Sequence, residues 1–325
     1  DPPASGAPSP RHERATKSGR ATKLLLSVAV FLATLLGLEG LCRVLGLGAE
    51  QEIAHYIANW SRQWQDDFYV MRPAIKGVNE DGVRDRQHPV ENELGLERVV
   101  FLGDSVTFGY GLSPGSSYPA LLQRVATERG DPVEVFNVAL PGWCTRQQRI
   151  AYDRIARKYR PDLVVVGLCL NDIPEMLNNL AQPARALAIA YRYSNLVRLV
   201  TGAHEREIHS VEELFEHPEA PSVGRGWDLT RAETLALAGE VRADGARFAL
   251  LVFPFRFQIV PGAPEPLPQK ALVEFAAENG FQALDLLPVL LPLGEEAFLD
   301  YDHLSLQGVK SVARAILESG ILTGG

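Results

Sequence analysis

Cysteine is scarce in this sequence. The chain has three, Cys42, Cys144 and Cys169, and no two of them form a CxxC pair. This spacing excludes a disulfide framework and a cysteine-based zinc site, and the odd number leaves at least one thiol free. A bridge between Cys144 and Cys169 is conceivable if the fold brings them together, but two buried thiols are the favoured interpretation.

Basic residues are outnumbered by acidic ones, which argues against some classes of binding partner. The chain carries 40 acidic against 32 basic residues, a formal net charge of -8. Phosphate binding needs a concentrated basic face, so nucleic acid is not an expected partner. A Walker A motif is missing as well, so a nucleotide-binding P-loop is not predicted. The hydrophobic fraction of 46% is typical of a globular protein.

A long uncharged run lies near the N-terminus. The run Leu24–Leu38 carries no charge, and 19 residues separate Lys23 from Arg43. That length is close to the ~20 residues that a helix needs to cross a bilayer. Five basic residues come before the run: Arg11, Arg14, Lys17, Arg20 and Lys23. The sequence therefore predicts a single transmembrane anchor, residues 24–43, after a disordered basic cytoplasmic tail, residues 1–23.

Other interpretations of this segment fit it less well. A cleaved signal peptide needs a site of small residues after the apolar run, and no convincing one follows. A lipoprotein site at Cys42 would need a small residue before the cysteine, where this chain has Leu41. A buried helix of a soluble protein would not need the basic cluster. With the basic side in the cytoplasm, the rest of the chain is expected outside the cytoplasmic (inner) membrane, facing the periplasm or the exterior.

From Arg98 onward, short apolar runs alternate with helical patterns. Five buried strands are predicted, at about 99–102, 133–138, 163–170, 248–253 and, more weakly, 281–286. This alternation implies an α/β domain, residues 98–325, in which helices cover both faces of a parallel sheet. Residues 44–97 are predicted to form a juxtamembrane linker or extension. Ligands bind at the carboxyl ends of the strands in such sheets.

Polar motifs follow the first three of these strands. Ser105, in the sequence GDS, lies at a strand-to-helix junction, which exposes its hydroxyl on a rigid edge; alone, GDS is an ordinary turn. Gly142 follows the second strand, where its N–H could approach an oxyanion closely. Asn171 follows the third, where its amide could point at the same oxyanion. Taken singly, Gly142 is explained equally well as a loop glycine, and Asn171 as a helix cap.

A fourth motif lies close to the C-terminus. It is Asp300-Tyr301-Asp302-His303, just before the last predicted helix. His303 could serve as general base for a serine, with a carboxylate that holds the imidazole in the right tautomer. A lone histidine before a helix is more often structural. The order of the four motifs and their places at strand ends carry more information than any one of them.

These motifs resemble the four blocks of the SGNH/GDSL hydrolase family, which carry Ser, Gly, Asn and His in this order. The resemblance runs from about Arg98 to Gly308 and lies in GDSxTFG, NxxxPG, GxxxND and DxxH. It implies a three-layer, flavodoxin-like fold with a central parallel sheet of about five strands. The segment Asn79–Asp85, together with the anchor, looks like the membrane-anchored bacterial members. The resemblance also implies a catalytic set: Ser105 as nucleophile, Gly142 and Asn171 as oxyanion donors beside the Ser105 N–H, His303 as base, and Asp300 as its orienting partner.

The resemblance implies an esterase that acts through an acyl-Ser105 intermediate, without cofactor or metal, on an extracytoplasmic acylated glycan or lipid. Some family members pass the acyl group to a sugar, so an O-acyltransferase of cell-envelope glycans remains open, because the same acyl-enzyme serves both reactions. A non-catalytic glycan-binding or scaffold role in a membrane assembly is the alternative of another class, and the intact set of blocks argues against it. Asp302 adds a second carboxylate beside His303, and spacing alone leaves open which one orients the imidazole.

Overall fold

The chain divides into two compact units. One consists of residues 1–51 and 189–202, the other of residues 52–188 and 203–325. The computed structural model describes residues 10–47, 61–63, 68–178, 194–201 and 203–323. The first nine residues of the predicted tail, and residues 48–60 and 64–67 of the predicted linker, lie outside this description.

The strands are β1 (Ser61–Gln63), β2 (Tyr69–Met71), β3 (Glu97–Gly103), β4 (Val133–Ala139), β5 (Leu163–Cys169), β6 (Arg247–Phe253) and β7 (Gln282–Asp285). The α-helices are α1 (Pro10–Leu45), α2 (Ser105–Phe108), α3 (Tyr118–Arg129), α4 (Thr145–Ala151), α5 (Asp172–Asn178), α6 (Asn195–Thr201), α7 (Ala203–Glu216), α8 (Pro221–Ala243), α9 (Leu267–Glu278), α10 (Leu287–Leu290) and α11 (Leu306–Glu318). A π-helical turn, Tyr152–Ala156, and a 3₁₀ turn, Arg157–Tyr159, continue α4, and two further 3₁₀ segments are Arg256–Ile259 and Leu291–Ala297.

The smaller unit contains α1 and α6. Within α1, the stretch Thr22–Leu45 is long and apolar enough to cross a membrane, with a mean hydropathy of 2.2. The helix begins at Pro10, so residues 10–23, predicted to be a disordered tail, are helical in the structure. Proline suits the first position of a helix, and the Ala, Arg, Lys and Glu residues that follow favour helix, so the apolar helix continues backwards into the tail.

Glu39 interrupts the apolar run of α1 and caps α6. Its carboxylate accepts hydrogen bonds from the backbone N–H groups of Asn195 (3.1 Å) and Leu196 (3.0 Å) and from the Ser194 hydroxyl (2.7 Å). A carboxylate at a helix N-terminus satisfies N–H groups that have no partner within the helix and opposes the positive end of its dipole. Glu39 therefore joins α1 to α6.

The larger unit is built on a five-stranded sheet in which all described pairs are parallel. The strand order is β4-β3-β5-β6-β7. Every residue of β5 is buried, as expected of a central strand covered on both faces. This sheet, with its flanking helices, confirms the predicted α/β fold. The order corresponds to 2-1-3-4-5 along the sheet, the flavodoxin-like arrangement.

Residues 68–97, predicted as part of a linker or extension, pack in the same unit as the sheet. The run from Phe68 to Met71 is buried, and β2 pairs antiparallel with β1. Phe68 stacks on Trp143 with ring centroids 5.1 Å apart, and the Tyr69 hydroxyl donates to the Pro141 carbonyl. The burial of these large apolar side chains holds the extension against the domain.

A buried charge network also ties the extension to the sheet. Arg98, at the start of β3, donates through Nε to Glu134 Oε2 at 3.0 Å, and the other Glu134 oxygen lies 2.9 Å from His88 Nδ1. The Arg98 guanidinium also donates to the Pro89 and Val90 carbonyls. Buried charges are tolerated only when they are paired and hydrogen-bonded in this way. These bonds therefore hold residues 88–90 against β3 and β4.

Candidate active site

Ser105 is the first residue of α2, directly after β3. Asp104 is the N-cap of this helix, and its Oδ1 accepts a hydrogen bond from the Val106 N–H at 2.9 Å. Gly109 ends the helix in the left-handed conformation, at φ 79°. Because Asp104 caps the helix at its start and Gly109 ends it, Ser105 lies in a four-residue helix at the carboxyl end of β3. Ser105 is buried, with 3% of its surface exposed.

Two glycines make room for a threonine beneath this turn. A Cβ on Gly103 or on Gly167 would overlap the Thr107 hydroxyl, and one on Gly167 would also lie 2.8 Å from the Tyr118 Oη. Thr107 Oγ1 in turn lies 2.8 Å from that Oη, within hydrogen-bond distance. The glycines of two separate sequence blocks are thus explained by a single packing requirement at the ends of β3 and β5.

The candidate oxyanion donors follow the two strands that flank β3. Gly103, at the end of β3, is level with Ala139 of β4 and with Gly167 of β5. Gly142 and Asn171 come shortly after those two strands, so the sheet brings both toward the Ser105 edge. This edge is the switch point of the strand order, where such sheets bind ligands. Gly142 has φ 77°, a conformation that favours glycine.

His303 and Asp300 meet in the loop before α11. His303 Nδ1 lies 2.7 Å from Asp300 Oδ2, and the His303 backbone N–H donates to Asp300 Oδ1 at 2.9 Å. A bridge between Phe298 and Leu304 closes the loop at its base. Although partial burial raises the pKa of Asp300, the hydrogen bonds and charge of His303 lower it further, to about 2. Asp300 is therefore ionised at neutral pH.

Asp302 lies beside the same imidazole in a different environment. Its Oδ1 is 3.1 Å from His303 Nδ1, but neither Asp302 oxygen makes an aligned hydrogen bond to any described residue. Burial, reinforced by the charges of Glu207 and Asp300, raises the pKa of Asp302 well above its usual range. The pKa of Asp302 is thus raised where that of Asp300 is lowered, which distinguishes the two carboxyl groups that spacing left open.

The second ring nitrogen of His303, Nε2, is buried and not engaged by Asp300. His303 is 1% exposed, and its Nε2 has no hydrogen-bond partner among the described residues. The Tyr110 ring packs on the imidazole, with centroids 4.3 Å apart. Burial raises the pKa of Asp104, the neighbour of Ser105, to about 6, while its Val106 hydrogen bond and the charge of His303 act in the opposite direction. The base and the serine turn therefore share one site, although Nε2 and Ser105 are not hydrogen-bonded; such bonds often tighten only when substrate is present.

Asp300, Asp302 and His303 are also the one set of possible metal ligands found in the described part of the chain. Their ligand atoms lie within 4.8 Å of one another. The hydrogen bond from His303 Nδ1 to Asp300 accounts for this proximity without an ion. All three cysteines are free and buried, and burial raises the pKa of Cys144 to about 12 and that of Cys169 well above its usual value.

Three features of the site were not anticipated from the sequence. Glu207, on α7, accepts hydrogen bonds from Asn171 Nδ2 and from the Tyr301 hydroxyl, both at 2.8 Å. Arg84, in the extension, donates to the carbonyls of Gly109 (2.8 Å) and Leu112 (3.1 Å) after the serine turn. Asp85 Oδ2 accepts from the backbone N–H of Asn137 at 2.7 Å. None of these residues belongs to a block of the family pattern, and their partners are distant in sequence.

A second serine sits in a sequence that suits a different hydrolase fold. Gly111-Leu112-Ser113-Pro114-Gly115 fits the GxSxG pattern of the α/β-hydrolase elbow. That elbow joins a strand directly to a helix, whereas Ser113 is exposed in the loop after α2 and lies 3.0 Å from the Ser116 hydroxyl. Ser113 therefore lacks the surroundings of a nucleophile.

The chain is similar to several known proteins. An arylesterase of Vibrio mimicus is 33% identical over 76 residues, which make up 23% of this chain and 38% of that protein, so the match spans less than half of the curated relative. The solved structure of TesA is 17% identical, with a TM-score of 0.46, and the match covers 69% of this chain and 97% of TesA. A catalytic mutant of Axe2, an acetylxylan esterase from Geobacillus stearothermophilus, is 16% identical, with a TM-score of 0.46 and coverage of 68% and 93%.

The family match covers the region of the four blocks. Residues 101–310 match the sequence model of the GDSL-like lipase/acylhydrolase family. This range begins in β3 and ends in α11, and it contains Ser105, Gly142, Asn171, Asp300 and His303. The match confirms the family that the four blocks predicted. The chain belongs to the GDSL-like lipase/acylhydrolase family.

Proposed function

We propose that this protein hydrolyses ester bonds through an acyl intermediate on Ser105. The observation that carries the proposal is the state of His303. Its Nδ1 is engaged by Asp300 at 2.7 Å, while the buried Nε2 is left without a partner among the described residues. An ionised Asp300 keeps the proton on Nδ1 and leaves the lone pair on Nε2, which is the tautomer of a general base.

The reaction follows from this arrangement. Ser105 Oγ attacks the ester carbonyl carbon as its proton passes to His303 Nε2, and Asp300 stabilises the imidazolium. The negative charge on the carbonyl oxygen is met by the N–H groups of Ser105, Gly142 and the Asn171 side chain. The tetrahedral intermediate collapses to acyl-Ser105, and the departing alcohol takes the proton from Nε2. Water, activated by the same nitrogen, then releases the acid and restores the serine.

We place this activity outside the cytoplasmic membrane, on an acylated glycan or lipid. Support for the location comes from the apolar stretch Thr22–Leu45 and from the five basic residues that lead into it. Support for the ester bond comes from the family and from the stretch shared with an arylesterase.

The nucleophile is tested with a fluorophosphonate probe, which labels only an activated serine. We expect labelling of the wild type and of Ser113→Ala, the exposed serine of the GxSxG sequence, and none of Ser105→Ala. The same three proteins are assayed on p-nitrophenyl esters from acetate to laurate, with and without acetylatable sugars. Turnover that survives Ser105→Ala would refute the acyl-serine mechanism. Acylated sugar among the products would identify transfer in place of hydrolysis.

A further inference from the structure

Glu207 links two parts of the active site that are far apart in the sequence. Its Oε1 accepts from Asn171 Nδ2 at 2.8 Å, and its Oε2 accepts from the Tyr301 hydroxyl at 2.8 Å. Asn171 follows β5, and Tyr301 lies between Asp300 and His303. The carboxylate therefore connects the candidate oxyanion donor to the loop that carries the base.

The contact with Asn171 decides which way the carboxamide points. A carboxamide presents an oxygen on one side and an NH₂ group on the other, and an ionised carboxylate can only accept hydrogen bonds. The flipped orientation would set Asn171 Oδ1 against the Glu207 oxygen, a contact of two acceptors. In the observed orientation Asn171 Oδ1 is buried and has no partner among the described residues. Glu207 is thus the contact that fixes the position of Nδ2, with its two hydrogens.

Glu207 leaves the other donors of the site free for substrate. Among the hydrogen bonds of the described residues, it accepts from Asn171 and Tyr301 and not from the N–H groups of Ser105 or Gly142. It also uses only one of the two Nδ2 hydrogens of Asn171, because one acceptor atom faces that nitrogen. The second hydrogen can then donate to a developing oxyanion.

We propose that Glu207 is a positioning residue for the oxyanion site. It holds the Asn171 carboxamide with Nδ2 toward the reacting carbonyl, and Tyr301 holds Glu207 in place. The inference rests on the proposed esterase function and assigns α7, which lies between the third and fourth blocks, a defined part in it.

The first test separates kcat from KM. Glu207→Ala should lower kcat about 10-fold or more and leave KM unchanged, because the lost orientation matters only when charge develops on the oxyanion. The loss should not exceed that of Asn171→Ala, for which removal of an oxyanion donor predicts on the order of 10²–10³. Glu207→Gln should restore most of the lost kcat, because Oε1 of glutamine still accepts from Asn171. Glu216→Ala, at an exposed position of the same helix, is the matched control.

The second test asks whether Glu207 acts through Asn171. Residues that act as one unit have non-additive effects, so Glu207→Ala should cost nothing further in an Asn171→Ala background. Additive losses would overturn the inference, and so would a Glu207→Ala enzyme faster than the wild type, which would make Glu207 a competitor for the oxyanion donor. In either case Ser105-dependent turnover of the wild type would leave the esterase function standing. A wild type without turnover would refute function and inference together.

Discussion

Asp300 and Asp302 differ in their surroundings more than in their distance to His303. The Asp300 side chain is 37% exposed, whereas that of Asp302 is 1% exposed and next to other carboxyl groups. Water and the His303 hydrogen bonds favour the charged form of Asp300, whereas burial favours the protonated form of Asp302. A carboxylate stabilises an imidazolium more strongly than a neutral carboxyl group does, so the difference in solvation predicts that Asp300 is the partner of the base.

We predict that Asp300→Asn lowers kcat by on the order of 10²–10⁴, because the amide no longer stabilises the imidazolium and can hold the wrong tautomer. Asp302→Asn should cost about tenfold or less, since burial favours the neutral form of this carboxyl group and asparagine is neutral as well. Steady-state kinetics on one ester measures both, and circular dichroism checks the fold of each variant. A costlier loss at Asp302 would show that the triad is wrongly assigned.

The raised pKa of the buried Asp104 carboxyl group predicts that the free energy of unfolding depends on pH. Burial raises its pKa from 3.8 to about 6, so the folded protein holds a proton that the unfolded chain has already released. A raised folded-state pKa contributes stability that is present below the unfolded value and lost as the pH rises through the folded one. The wild type should therefore lose unfolding free energy relative to Asp104→Asn between about pH 4 and pH 6. Urea unfolding across this range measures the difference, and a constant offset between the two proteins would contradict it.

At the level of elements, the packing at the end of β5 predicts opposite effects for two glycine substitutions. A Cβ on Gly167 would press on Tyr118 Oη and on the Phe253 ring, whereas one on Gly239 of α8 meets nothing within 4 Å. Gly167→Ala should destabilise the fold by about 1–3 kcal/mol through overpacking. Gly239→Ala should stabilise it by up to about 1 kcal/mol, because alanine favours helix. Thermal unfolding of both variants checks the signs, and equal Tm values would refute the packing argument.

The elements that the sequence predicts well are those whose signal is local. Runs of apolar residues marked the five strands of the sheet, and their alternation with helices predicted parallel pairing. The four blocks were recognisable because each lies within a few residues of a strand end or of the last helix. Even the pairing of Asp300 with His303 spans only three residues.

The parts that sequence reasoning missed depend on distant partners. In the sequence, Glu207 is an ordinary glutamate of a helix. Its partners Asn171 and Tyr301 are 36 and 94 residues away, and only the fold brings them close to it. Residues 44–97 were predicted only as a linker or extension, without their contacts to the domain. The partner of Tyr69, the Trp143 indole N–H, lies 74 residues further on. Hydrophobic periodicity does not indicate such contacts, because they depend on how the strands are arranged in the sheet.

For the whole molecule, we predict one membrane crossing by α1, with Lys23 inside and Trp60 outside. Basic residues before the apolar stretch remain on the cytoplasmic side, and the span Thr22–Leu45 is long enough for one passage. Alkaline phosphatase fused at Trp60 should be active, as this reporter requires export. A cytoplasmic reporter that works at Trp60 would refute this topology.

A fragment that starts near Glu50 should be soluble and keep Ser105-dependent turnover. The larger unit, residues 52–188 and 203–325, holds the whole parallel sheet and every residue of the candidate site. The loss of residues 1–49 removes Glu39, the cap of α6, so any loss of stability should be local to that helix. Size-exclusion chromatography and the ester assay measure the outcome. An aggregated or inactive fragment would show that the anchor is needed by the catalytic fold.

The order of the site along the chain has a consequence for synthesis. Ser105 follows the first strand of the sheet, whereas His303 lies in a loop just ahead of α11, whose N-terminus is capped by the Ser305 hydroxyl. During translation the nucleophile therefore emerges about two hundred residues before its base. Under the proposed mechanism, a nascent or prematurely terminated chain carries Ser105 without its base and leaves acyl esters untouched. The mechanism therefore predicts that activity begins only after the loop of His303 has left the ribosome and α11 has folded behind it.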